Sequence, residues 1–90
     1  MSLITLFMVA VIEMPPKKYD HEPYQPYQVI ELPIKDLHKI CNQPRRSNYT
    51  LFGCAHHLVG LIYLRDDLSD EARKRVLRHE RAHLNGWKHR

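Results

Sequence analysis

An α+β fold, a short antiparallel or mixed sheet packed on a C-terminal helix, is what this sequence predicts, and three observations carry the prediction. Ninety residues support one domain and no more. Short β-type runs occupy the middle of the chain. A long amphipathic pattern with capping signals at both ends fills the last quarter.

Taken from the start, residues 3–12 read LITLFMVAVI, an uninterrupted apolar or near-apolar run. It is too short to span a bilayer, which takes about 20 residues. Its length suits the apolar region of a signal peptide, although no basic residue precedes it and only Met8-Val9-Ala10 resembles a cleavage pattern. Its Val, Ile, Thr and Phe content suits a buried strand equally. Export to the cell envelope, or membrane association through residues 3–12, is favoured over a cytoplasmic location, with a folded strand as the alternative. Residues 1–14 thus form a hydrophobic N-terminal segment. Residues 15–28 hold four prolines and three tyrosines in a polar background. Dense proline removes backbone donors and favours extended chain, so this stretch reads as a linker or a strap across the surface. Residues 29–90 make the compact domain.

Within that domain, residues 29–32 are a short β-type run closed by Pro33. Ile34, Leu37 and Ile40 follow at spacings of three, which predicts a helix over 34–41. Residues 42–48 are a polar loop. Two further β-type segments, 49–55 and 61–64, flank residues 56–60 and suggest a hairpin, with Gly53 and Gly60 marking a bulge or the turn. Ser69 is the N-cap of the last helix, Asp70 and Glu71 fill its first turn, and basic residues gather toward its end, all of which suits the helix dipole. Asn85-Gly86 is the stop signal. Ala72, Val76, His79 and His83 share one stripe of this helix, while Leu77 and Leu84 flank Glu80.

The net charge of +4 and pI near 9.3 come largely from arginines and lysines in the second half of the chain. Such a balance suits an acidic partner, nucleic acid or an anionic surface, but no recognised nucleic-acid motif accompanies it, and a solvated helix face explains it more simply. Cys41 and Cys54 are the two cysteines, and they form no C-x-x-C pair. Oxidised, they would close a loop of about 14 residues, worth about 3 kcal/mol in the chain-entropy model, and would require an oxidising compartment. Reduced, they would pack as small buried hydrophobes.

The chemistry is concentrated in residues 79–89, His-Glu-Arg-Ala-His-Leu-Asn-Gly-Trp-Lys-His, an H-E-x-x-H core extended to H-E-x-x-H-x-x-G-x-x-H. Residues four apart lie one turn above one another on a helix, so His79 and His83 can direct imidazole nitrogens at one metal ion. Glu80, about 100° round the helix, would stand beside the open coordination position as a base. Gly86 can adopt positive φ and turn the chain back, which makes His89 the third ligand. In a chain with seven histidines, the short core alone would arise by chance at roughly 1 in 30, and the extended form at on the order of 1 in 10,000. With three histidines bound and a fourth position left for water, neither cysteine is expected to be a ligand.

These residues resemble the zincin metallopeptidases, and within them the metzincin-type motif with a third histidine after the glycine. Looser similarity extends to very small H-E-x-x-H proteins of bacterial mobile elements, in which an Arg-His-Glu helix ends in Asn-Gly-Trp, as at residues 78–80 and 85–87 here. The methionine turn of metzincins has no counterpart downstream of His89, since Met1, Met8 and Met14 all lie upstream of the motif. The resemblance implies a small zincin-like domain that binds Zn2+ through His79, His83 and His89. It implies Glu80 as the general base of peptide-bond hydrolysis by a zinc-bound water, with a peptide or protein as substrate. His56, His57 or a second chain are alternative sources of the third ligand. Tyr49, Tyr63, His56 and His57 are candidates for oxyanion stabilisation. The substrate would lie along a strand edge, at 49–55 or 61–64. The rival reading is a basic, metal-binding regulatory or nucleic-acid-binding module without catalysis.

Overall fold

The computed structural model describes residues 12–41 and 51–88. Most of the apolar run at residues 3–12, the polar loop at 42–48, Tyr49 and His89 lie outside the described residues.

Strand β1, Gln28–Leu32, is followed directly by helix α1, Ile34–Cys41. Pro33 separates them: it sits ahead of the first helical residue, where its missing N–H costs nothing, and its carbonyl accepts from Asp36 and Leu37. Strands β2, Gly53–His56, and β3, Leu61–Arg65, form an antiparallel hairpin in which Gly53 faces Leu64 and His56 faces Leu61. Gly60 turns the hairpin at φ 65°, and an added Cβ there would come within 2.8 Å of the Pro26 carbonyl oxygen. Strand β1 pairs with β3 in parallel, Gln28 opposite Leu61 through Leu32 opposite Arg65, which gives the order β1-β3-β2. The sheet is therefore mixed, with β3 in its centre.

Successive residues of a strand face opposite sides, and this alternation distributes the two helices. Ile62 and Leu64 are fully buried on one side with Val76 of the last helix, α2, Asp70–Leu84. Val29, Ala55, Leu77 and Leu84 pack round that cluster. Glu31 reaches the same side and accepts from Arg73 Nε of α2 at 2.6 Å. Tyr63 and its neighbour Cys54 face the other way, toward α1, which packs on β2 and β3. A disulfide between Cys41 and Cys54, with Cα atoms 5.9 Å apart, ties α1 to the edge strand. The three strands thus carry a helix on each face.

Helix α2 begins as its sequence demands. Ser69 is extended, and its hydroxyl accepts from the Ala72 N–H at 3.1 Å. It ends in a Schellman arrangement: Gly86 has φ 106°, its N–H donates to the His83 carbonyl at 3.0 Å, and the Trp87 N–H donates to Ala82 at 3.1 Å. The helix buries Val76, Glu80 and Ala82. Val76 and Glu80, one turn apart, share the inward face. The sequence pattern places Val76 on the histidine stripe; in the fold it shares the buried face with Glu80.

Residues 12–27 lie against the open side of α2. Ile12 packs on the core, Pro15 is buried, and a single 3-10 turn spans Lys17–Tyr19. The Asn85 side-chain amide donates to the carbonyl oxygens of Tyr19, at 2.9 Å, and His21, at 2.8 Å. Arg78 forms a two-pronged ion pair with Asp20, and Arg81 stands 3.7 Å from Glu22. The segment is a strap bonded along the helix.

Candidate metal centre

The site forms where the end of α2 passes beneath β2. A cleft of about 410 Å³ opens there, lined by His79, Glu80, His83 and Trp87 and roofed by Gly53, Cys54 and Ala55. His57 and Lys88 also line it. Gly53 allows the close approach of sheet and helix, because a Cβ at that position would meet the Tyr63 carbonyl oxygen at 2.5 Å and the Val76 side chain at 3.2 Å.

His79 and His83 converge, with Nε2 atoms 3.2 Å apart. Each ring is also held from behind. His79 Nδ1 donates to the Glu13 carbonyl oxygen, and His83 Nδ1 donates to the Trp87 carbonyl oxygen, both at 2.6 Å. A carbonyl oxygen only accepts, so each Nδ1 carries the hydrogen, and in a neutral ring the facing Nε2 is then a lone-pair donor. Two ligands of one tetrahedral zinc, each about 2.0–2.1 Å from it, stand about 3.3 Å apart. The observed separation fits that geometry, and a backbone carbonyl on Nδ1 is the kind of outer partner that a metal-binding imidazole has.

The indole of Trp87 completes the wall. It stacks on His83 at 4.8 Å with planes 10° apart, and meets His79 edge-on at 4.8 Å. Trp87 is buried, so it both seals the helix end and supplies the carbonyl that fixes His83.

Glu80 is 6% exposed, and no hydrogen bond or ion pair reaches it from the described residues. Burial pushes its carboxyl up to about 8. So placed, the carboxyl is neutral at pH 7 unless a positive charge stands close by, as a cation held between the paired imidazoles would. The chemistry of this donor set, two imidazoles with facing Nε2 atoms and a buried carboxyl in one cleft, fits a divalent metal ion.

Among the described residues no group of three or more His, Cys, Asp or Glu side chains is arranged to hold a metal. His79 and His83 are brought together, Glu80 lies beside them, and His89 falls outside the described residues. Lys88, which precedes it, lines the cleft. Of the four oxyanion candidates, His57 lines the cleft. Tyr63 lies on the opposite face of the sheet with His56 against its ring, centroids 5.6 Å apart. Tyr49 is not among the described residues. The thiols foreseen as an alternative are joined as a disulfide, on the sheet face that carries α1. The carbonyls of Glu13 and Trp87 had no sequence signal, because any residue provides a backbone acceptor. Only the Gly86 turn points toward the second of them.

Comparison with known proteins returns no matching family, no similar curated protein and no similar solved structure.

Proposed function

We propose that this chain is a zinc-dependent, zincin-like metallopeptidase in which His79 and His83 hold the metal, His89 completes the set, and Glu80 is the general base. The observation that carries the reading is the 3.2 Å approach of the two Nε2 atoms while both Nδ1 atoms are engaged by carbonyls. Zinc, when bound, supplies Lewis acidity at neutral pH. The residues supply the rest. Glu80 takes a proton from the attacking water as the new C–O bond forms, then delivers it to the amine nitrogen as the C–N bond breaks. His57, which lines the same cleft, is assigned as the donor to the developing oxyanion. Strand β2 lies at the edge of the described sheet and roofs the cleft, whereas β3 is paired on both sides, so β2 is the strand along which an extended peptide would lie.

The charge pattern weighs against the rival nucleic-acid or regulatory reading. Arg73, Arg78 and Arg81 each face a carboxylate of this chain, Glu31, Asp20 and Glu22, so much of the basic face of α2 is internally neutralised.

The test is metal content and hydrolysis of a peptide library by the purified full chain. One zinc per chain is expected, with loss of metal in His79→Ala, His83→Ala and His89→Ala. Glu80→Gln is expected to keep its zinc and lose hydrolysis by at least about a hundredfold. Wild-type zinc binding by His79→Ala and His83→Ala would overturn the site, and undiminished hydrolysis by Glu80→Gln would remove the base.

A further inference from the structure

Asn85 belongs to the terminal motif, yet it has no part in the chemistry proposed above. Its two amide hydrogens are nevertheless both engaged, by the Tyr19 and His21 carbonyl oxygens at 2.9 and 2.8 Å. Those carbonyls belong to the strap, and the same strap carries the Glu13 carbonyl that receives His79 Nδ1. The connection between them is stiff. Pro15 and Pro16 fix two backbone angles, and the Tyr19 N–H closes the 3-10 turn onto the Pro16 carbonyl at 2.9 Å. At the far end Ile12 packs on the core. His79 therefore receives its orientation from a segment more than sixty positions earlier in the chain, with 66 positions separating it from Glu13. His83 receives its own from Trp87, four residues on.

We infer that Asn85 is a positioning residue for the metal centre: it clamps the strap to the end of α2 so that the Glu13 carbonyl sets the tautomer and aim of His79. The inference rests on reading His79 and His83 as metal ligands. It makes metal affinity depend on the N-terminal strap, and it makes the two histidines respond unequally when the strap is loosened.

The variant Asn85→Asp keeps the side-chain shape and sets an acceptor against two acceptors. Zinc affinity of the full chain is measured by competition with a chromophoric chelator, and the imidazole nitrogens are followed by NMR. An approximately tenfold loss of zinc affinity is expected, the usual scale for removing an outer partner of a ligating histidine. The His79 Nδ1 signal shifts and the His83 signal stays. A role confined to general stability would move neither ring selectively. Should Asn85→Asp fail to fold, Asp20→Ala releases the strap at an exposed ion pair, with about a threefold loss in the same direction. Wild-type affinity in both variants, alongside lost binding in His79→Ala, would overturn the clamp and leave the metal site standing. Wild-type affinity in His79→Ala would instead bring down the ligand assignment, and the clamp with it.

Discussion

At the scale of single residues, Gly86 does more than end a helix. Its φ of 106° allows the Trp87 N–H to return to Ala82, and that return sets the Trp87 carbonyl on His83 Nδ1. A Cβ at Gly86 would meet nothing closer than the Tyr19 ring at 3.9 Å, so the obstacle to a side chain is backbone conformation and not space. Gly86→Ala should therefore cost about 1–2 kcal/mol in urea unfolding and weaken zinc binding at the same time. Stability loss with zinc binding intact would show that the turn does not position His83. The histidine spacing and the glycine were legible in the sequence because helix geometry relates residues four apart directly. The outer acceptors were not, since a carbonyl has no side-chain signature and Glu13 meets His79 only through tertiary packing.

At the scale of elements, the strand closed by Pro33, the helix at 34–41 and the capped last helix follow from local chemistry and occur where the sequence places them, whereas the first hairpin strand, expected over 49–55, runs Gly53–His56. What local chemistry leaves out is pairing. Nothing in residues 29–32 announces a parallel partner, because β1 meets β3 only after α1 and β2 have intervened. The Pro-rich stretch, expected as linker or strap, joins α2 through ion pairs that spacing could not reveal. Arg78 holds the Asp20 carboxyl below its ordinary value of 3.8, chiefly by hydrogen bonding. A depressed carboxyl contributes stability that is present above its unfolded value and lost as pH falls through the folded one. The metal-free protein should accordingly lose strap contacts below about pH 4. Asp20→Asn should remove that part of the pH dependence, as seen by comparing the two stability profiles. Profiles of equal slope between pH 5 and pH 2 would count against the ion pair.

At the scale of the molecule, a chain of 90 residues buries only a small core, centred on Ile62, Leu64 and Val76. The Cys41–Cys54 disulfide, spanning 13 positions, and the strap each add a long-range tie. Reduction should lower unfolding stability by about 3 kcal/mol, measured with and without reductant. An unchanged unfolding midpoint would show that the sheet and helices hold without the bond. A bound metal would be a further tie between α2 and the residues that follow it, so folding and metal affinity are expected to be coupled.

Zinc-edge X-ray absorption on the purified full chain tests the central claim most directly. The account predicts one zinc per chain with a shell of nitrogen and oxygen at about 2.0–2.1 Å, three of the ligands imidazoles and one position left to solvent. A chain that retains no zinc would contradict it, as would a closed shell of four protein ligands or sulfur scattering at about 2.3 Å.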